Sequence, residues 1–173
     1  HHQASQRPRS HVAWSSRVRG LLEDRIPVDL EELRKALPAR SINAEKLDTD
    51  SLIYILSASL PHMQAGYAHR SHGLVKALSV QGVDVTCITR PGYPIDLVDT
   101  PDAEDRPQEN FSDTVDGVTY HRIATPLRKG RSGLSYIRAA SHTLEAMLVK
   151  QQPAVVMAAS NHMSALPALM AAR

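Results

Sequence analysis

Residues 52–90 hold the feature that most constrains this chain, because a short apolar run, a turn, an amphipathic run and a second apolar run follow one another there without interruption. Residues 52–56 are mostly β-branched or aromatic, and the run is too short for a helix, which favours a strand buried on both faces of a parallel sheet. The amphipathic run begins at Tyr67 and ends at Gly82, a residue that tolerates the positive φ of a helix end. Residues 83–88 form the second strand. This order predicts a β-α-β unit with a right-handed crossover.

The unit predicts an inward face for its helix and a ligand-binding edge for its sheet. The apolar or small helix positions that fall mostly at three- and four-residue spacings are Ala68, Leu74, Val75, Ala77, Leu78 and Val80. We expect them to face the sheet. In open α/β sheets, ligands bind at the loops that follow the carboxyl ends of the strands. We therefore expect functional side chains at residues 61–70 and 90–94.

A β-hairpin is predicted later in the chain. Asp116 and Gly117 form a pair typical of a two-residue turn with positive φ, and Val118, Tyr120 and Ile123 continue an extended pattern. Further elements are predicted after it: a helix at residues 134–150 with Ile137, Leu144, Met147 and Leu148 inward, a strand at 154–158, and a helix at 163–173 despite Pro167. The fold class predicted is α/β, a parallel Rossmann-like sheet flanked by helices, with the hairpin as an insertion.

Residues 1–50 differ in composition from the remainder and predict a polar, partly helical extension ahead of one α/β domain at residues 51–173. Pro27 begins and Pro38 ends the predicted helix of this extension. His1 and its neighbour resemble the remnant of a purification tag. Trp14 leaves two interpretations open: it lies in a loosely ordered tail, or it docks against another part of the protein.

Composition limits the classes of function. The chain has 173 residues with 42% hydrophobic content and a formal net charge of +2, which fits one globular domain and gives no indication of nucleic-acid binding. The lone cysteine, Cys87, falls in a predicted strand and is interpreted as a small core residue. No apolar run is long enough to cross a bilayer and no signal peptide is recognised. A cytoplasmic protein without disulfides is therefore expected.

The charges separate along the chain. Acidic residues crowd residues 96–113, where two prolines predict an exposed loop, and the spacing of the acids does not match a calcium loop. Basic residues follow without intervening acids at Arg122, Arg128, Lys129, Arg131 and Arg138. They either face solvent or pair with the acidic loop, or else they bind an anionic acceptor or the lipid headgroups at the inner face of a membrane.

Competing chemistries fit the motifs poorly. The first turn of the unit has one glycine, Gly66, where a dinucleotide-binding fingerprint needs three, and the second strand ends at Thr89-Arg90 without the acid that would hold a ribose. No Walker lysine motif, nucleophile elbow or metal-ligand spacing is present in the sequence.

Three stretches carry a family pattern. They are Pro61-His62-Met63-Gln64-Ala65-Gly66-Tyr67-Ala68-His69-Arg70-Ser71-His72-Gly73-Leu74, then Thr89-Arg90-Pro91-Gly92-Tyr93-Pro94, then Ala158-Ala159-Ser160-Asn161-His162 with Ala165-Leu166-Pro167-Ala168-Leu169 and Ala171-Ala172-Arg173. In this order they resemble the amino-terminal domain of the family-four retaining glycosyltransferases of the GT-B fold. The resemblance covers about two thirds of the chain, from the first strand to its end.

The resemblance implies a nucleotide-sugar-dependent transferase with a glycan, lipid or small-molecule acceptor and without a metal or other cofactor. It implies that the loop at Gly66 and Tyr67 lies against the donor diphosphate and that the other carboxyl-end loops surround the acceptor. In this family a second, carboxyl-terminal domain grips most of the donor, and the chain stops at Arg173 before it. We therefore expect an incomplete transferase, inactive without that domain, whose exposed apolar edge favours self-association.

The residues themselves offer polar candidates for such a cleft. A glycine at a helix start lets backbone amides approach a phosphate, and the helix dipole adds positive charge there. The candidates for the acceptor side are His62, Gln64, Arg70, Arg90, Tyr93, Asn161 and His162. Alternative interpretations are that Tyr93 braces the Pro-Gly turn, that His162 caps the last helix, and that His69 and His72 are surface or supporting residues. A stand-alone binding or docking module with an α/β sheet and no chemistry is the alternative function.

Overall fold

Five strands and three α-helices make up the part of the chain that the computed structural model describes, residues 48–97, 109–159 and 161–173. The strands are β1 (Asp48–Leu56), β2 (Asp84–Thr89), β3 (Phe111–Val115), β4 (Val118–Arg122) and β5 (Pro153–Ala158), and the helices are α1 (Gly66–Val80), α2 (Gly133–Gln151) and α3 (His162–Ala171). β1 begins earlier than predicted, so residues 48–50 belong to the sheet. The predicted helix at 27–38, Trp14 and most of the acidic loop lie outside the described residues.

The strands form one sheet in the order β3-β4-β2-β1-β5. β1 pairs in parallel with β2 and β5, β2 pairs in parallel with β4, and only β3 runs antiparallel, as the partner of β4. The predicted α/β class, with a parallel sheet and an inserted hairpin, is confirmed. Because four strands point the same way, the loops that follow them meet at one side of the sheet, the carboxyl edge: residues 57–65, 90–94 and 123–132, together with residues 159 and 161.

β1 is the centre of the hydrophobic core and is buried on both faces. Tyr54 and Leu56 pack with α1 residues on one face, in a cluster that includes Cys87. Ile53 and Ile55 pack on the other face with residues of α2 and α3. The interpretation of Cys87 as a core residue is confirmed, because its side chain is buried and burial raises the pKa of the thiol to about 12.

The hairpin turn has the predicted chemistry. Asp116 (φ 46°) and Gly117 (φ 83°) connect β3 to β4, and both adopt the positive φ that a two-residue turn requires.

The inward face of α1 was predicted incorrectly in part. Its buried residues are Ala68, Ser71, His72 and Val75, whereas Leu74 and Val80 are exposed. His72 is therefore a core residue and not a surface one, and its Nδ1 lies 2.7 Å from the hydroxyl of Tyr120.

Arg122, the last residue of β4, is fully buried beneath the carboxyl edge. Its guanidinium donates to Ser59 Oγ at 2.7 Å, to the carbonyl of Leu60 at 2.6 Å and to Asp113 Oδ2 at 2.7 Å. The guanidinium carbon also lies 5.4 Å from the ring centre of Tyr93 and 5.2 Å from that of Tyr120. One side chain therefore holds the loop after β1, the loop after β2 and strand β3 together. We call this arrangement the Arg122 clamp.

The loop after β2 is held from a second side through Gly92. This glycine has φ +85°, and a Cβ atom there would lie 2.8 Å from the carbonyl oxygen of Pro126. Its N–H donates to the carbonyl of Ile123 at 2.8 Å. The two loops thus pack backbone to backbone, which only glycine allows.

In the described part of the chain, no helix is long and apolar enough to cross a membrane.

The clamp predicts a large loss of stability in Arg122→Met, which keeps an unbranched side chain but removes the charge and the hydrogen bonds. Leaving Asp113 without its buried partner and Ser59 without its donor should lower the free energy of unfolding by about 3–5 kcal/mol, measured by urea denaturation. Arg131→Met, at an exposed position, is the matched control and should change it by less than about 0.5 kcal/mol. Equal stability of the two variants would contradict the clamp.

Gly92→Ala should destabilise the domain although it adds a single methyl group. The positive φ alone costs an alanine about 1–2 kcal/mol, and the contact with Pro126 adds to that cost. Gly66→Ala is the control, because its Cβ would meet no protein atom within 4 Å. The same denaturation experiment should therefore separate the two variants by more than about 1 kcal/mol, and an unaffected Gly92→Ala would show that the loops can move apart at little cost.

Candidate active site at the carboxyl edge

The start of α1 presents free backbone donors at the carboxyl edge. Gly66 is the first helical residue, Ala65 precedes it without a side-chain cap, and the first turn contains no acidic residue. The first N–H groups of a helix have no partner within the helix and carry partial positive charge. Gly66 is exposed and Tyr67 is 37% exposed. Backbone amides of this turn are therefore accessible to an anionic group.

His62 lies in the same loop, between β1 and α1. Its Nε2 is 3.0 Å from Asp113 Oδ2, and its ring meets that of Tyr93 edge-on with centroids 6.3 Å apart. The His62 side chain is 36% exposed. It is therefore anchored at one nitrogen while part of the ring faces solvent.

Gln64 and Arg70 complete the predicted residues around this helix start. Gln64 is exposed and its side-chain amide donates to the carbonyl of Pro61 at 3.0 Å, which closes the loop on itself. Arg70 is exposed on α1. Both stay predictions as ligand contacts.

Arg90 was expected to project towards the cleft and to offer its planar fork to an anion. In the structure the guanidinium instead pairs with a protein carboxylate. Nη1 and Nη2 donate to the two oxygens of Asp96 at 2.6 and 3.0 Å, and the Arg90 side chain is 9% exposed. Burial acts to lower the pKa of the guanidinium, but the hydrogen bond and charge of Asp96 outweigh it, so the pKa is raised. These contacts favour a structural pair that shapes the loop after β2.

Tyr93 is fully buried, and its hydroxyl donates to the carbonyl of Ser59 at 2.9 Å. Burial raises the pKa of this phenol, so the hydroxyl stays a donor at neutral pH. The geometry agrees with the alternative interpretation that Tyr93 braces a turn. It braces the loop that carries His62 as well as its own.

Asn161 and His162 follow β5 at the other end of the same edge. The side-chain oxygen of Asn161 accepts from the N–H of Met163 at 2.9 Å, so Asn161 caps α3, and the interpretation of His162 as the cap is wrong. The amide nitrogen of Asn161 donates to Ser57 Oγ at 3.2 Å, which joins this loop to the end of β1. His162 is the first residue of α3 and is exposed.

At the carboxyl edge, two of the predicted residues from other loops contact the loop after β1, one at each of two places. His62 and Tyr93 meet above the Arg122 clamp, while Asn161 contacts the beginning of the loop at Ser57. Sequence reasoning missed Asp113 and Arg122 as part of this arrangement. A signal existed, because inward positions alternate along β4 and Arg122 falls in register with its buried residues.

The basic stretch after β4 is not uniform. Arg122 is buried, which contradicts the expectation that it faces solvent, and its pairing with Asp113 follows the alternative expectation of a partner in the acidic loop. Lys129, Arg131 and Arg138 are exposed. Among the described residues, no three His, Cys, Asp or Glu side chains are grouped so as to hold a metal ion. The absence of a metal requirement remains a prediction.

Comparison with known proteins identifies the family of this chain. The model of the glycosyl transferase 4-like domain matches residues 65–173, which include the helix start at Gly66, the loop after β2 and the capping Asn161. No curated protein and no solved structure matches the chain. The match covers more than half of the chain and ends where the described fold ends. The chain belongs to the glycosyl transferase 4-like domain family and forms a Rossmann-like half of the GT-B type.

Proposed function

We propose that this domain is the acceptor side of a retaining glycosyltransferase that uses a nucleotide sugar as donor. The observation that carries the proposal is the family match over residues 65–173, which spans the helix start at Gly66 and the loops of the carboxyl edge. Transfer of a sugar needs a cleft that neutralises a departing diphosphate and holds an acceptor hydroxyl next to the anomeric carbon. The carboxyl edge supplies candidate groups for both tasks.

The start of α1 is the proposed contact for the donor diphosphate. Developing negative charge on a leaving phosphate is stabilised by N–H groups that are already oriented, and the uncapped first turn at Gly66 offers such groups. Because Gly66 lacks a side chain and a Cβ there would meet no protein atom, its surface is open to a ligand that approaches the backbone. Tyr67 adjoins this contact.

The acceptor is proposed to lie along the remainder of the carboxyl edge, near His62, Gln64 and Asn161. These side chains are exposed and each is anchored by a hydrogen bond: His62 to strand β3, Asn161 to the loop after β1, and Gln64 within its own loop. Anchored polar groups lose little entropy when they bind a hydroxyl. Arg90 and Tyr93 contribute by holding the shape of this edge, through Asp96 and Ser59 respectively.

The proposal includes partners beyond the described residues. A second domain that grips the nucleotide is required for turnover, because the rate of a two-domain transferase comes from presenting donor and acceptor together in a closed cleft. The exposed Lys129, Arg131 and Arg138 are compatible with an anionic acceptor or lipid headgroups at the inner face of a membrane. Neither a metal nor another cofactor is part of the proposal.

The test uses Gly66→Val in the full-length gene product. A branched side chain at this position should block close approach of the diphosphate, and nucleotide diphosphate release from a panel of nucleotide hexoses should fall by at least about 100-fold, as losses of preorganised donors do. Gly73→Val is the matched control. Gly73 lies on the same helix about 10 Å further along the axis, and a Cβ there would also meet no protein atom.

The expected result is loss of release in Gly66→Val with an unchanged melting temperature, and normal release in Gly73→Val. Full activity of Gly66→Val would remove the helix start from the donor site. If the wild-type protein releases no nucleotide diphosphate with any donor of the panel, the alternative of a non-catalytic binding module is favoured.

A further inference from the structure

His62 belongs to a chain of three side chains that ends at a buried arginine. Its Nε2 is 3.0 Å from Asp113 Oδ2, and the same oxygen accepts from Nε of Arg122 at 2.7 Å. The arginine at the end of this chain is fully buried, and the histidine at its start is 36% exposed. By contrast, His142 and Glu145 form a pair at 3.6 Å with both side chains exposed.

The order of donors along this chain fixes the hydrogen on His62. An arginine can only donate and a carboxylate oxygen that receives an arginine N–H can only accept. The hydrogen between His62 and Asp113 must therefore come from Nε2 of the imidazole. A neutral imidazole carries one hydrogen, so Nδ1 then holds a lone pair and can only accept.

The position of Asp113 is in turn fixed by the fold. It lies in the middle of β3, where it is paired with Tyr120 of β4, and Arg122 is held by Ser59 and Leu60 besides Asp113. Neither Asp113 nor Arg122 can turn away without breaking contacts in the Arg122 clamp. The imidazole is thus anchored on one side, as a carboxylate anchors the histidine of a catalytic triad.

We infer that Asp113 and Arg122 are positioning residues that hold His62 so that its Nδ1 accepts a hydrogen bond from a hydroxyl group of the acceptor substrate. This inference rests on the proposed function and assigns an alcohol hydroxyl of the acceptor as the group bound at His62. An acceptor bound through a hydroxyl at this atom would be oriented by the protein before the donor arrives. The hairpin of β3 and β4 then has a role in the site, although it contributes no residue that touches the substrate.

A purely structural role for His62 is the competing explanation. A substitution that replaces Nε2 but not Nδ1 distinguishes this explanation from substrate binding. His62→Gln keeps an amide that can reach Asp113 in place of Nε2, but it has no acceptor in the position of Nδ1. If His62 only ties the loop to the hairpin, glutamine should suffice. If Nδ1 binds substrate, glutamine should fail although the fold is kept.

The kinetic test compares wild type, His62→Gln and Asp113→Asn in the full-length gene product, with a panel of nucleotide hexoses as donors and methyl hexosides and glycolipids as acceptors. His62→Gln should raise KM for the acceptor by about tenfold, the size of one lost hydrogen bond, with donor KM and melting temperature unchanged. Asp113→Asn should raise the same KM by less. His142→Gln is the matched control and should behave as wild type. Unchanged acceptor KM in His62→Gln overturns the inference while the proposed function stands.

A second measurement does not depend on turnover. Long-range ¹H–¹⁵N correlation spectra of the histidine rings, assigned with His62→Gln, should show His62 of the wild-type chain with its hydrogen on Nε2 alone, and a mixture of tautomers in Asp113→Ala. A hydrogen on Nδ1 in the wild type overturns the inference. If no donor is turned over yet His62 shows the expected tautomer, the proposed function fails and the positioning by Asp113 is supported.

Discussion

The buried guanidinium of Arg122 is the interaction on which the shape of the carboxyl edge depends. The loop after β1 supplies Ser59 and Leu60 as its partners and strand β3 supplies Asp113, and all three contacts are 2.6–2.7 Å long. A buried charge is costly unless its partners compensate it, so the loops cannot move independently of the arginine. The guanidinium also makes a cation–π contact with the aromatic ring of Tyr93. The same side chain thereby links stability to the geometry of the proposed site.

This arrangement holds the groups of the proposed site in place. On one side, the uncapped start of α1 at Gly66 offers backbone N–H groups to an anion, and on the other, His62 and Asn161 offer side chains fixed by hydrogen bonds. Catalysis benefits when groups are oriented before the substrates bind. Membership of the glycosyl transferase 4-like family agrees with this division, because a sugar transfer needs both an anion site and a hydroxyl site.

Local features of the sequence were sufficient to predict the helices and strands. The contacts between side chains that are distant in the chain could not be predicted from them. The β-α-β unit and the hairpin at Asp116 and Gly117 follow from patterns within a few residues, and both are confirmed. Arg122 was interpreted as part of a basic run that faces solvent, pairs with the acidic loop or binds an anion, and no sequence pattern indicated its further partner Ser59, which lies 63 residues away. His72 was interpreted as a surface or supporting residue, and its buried contact with the hydroxyl of Tyr120, 48 residues away, agrees with the supporting role only. Charge and polarity alone do not show which polar residues find a buried partner.

A structure of the full-length gene product bound to a nucleotide diphosphate and an acceptor analogue would show which groups of the carboxyl edge contact each ligand. The proposed arrangement of the site predicts that the diphosphate oxygens lie within hydrogen-bond distance of the backbone N–H groups at Gly66 and Tyr67. It also predicts that an acceptor hydroxyl lies beside Nδ1 of His62 while Nε2 keeps its contact with Asp113. Binding of either ligand away from the carboxyl edge, or a His62 ring turned away from Asp113 in the complex, would contradict it.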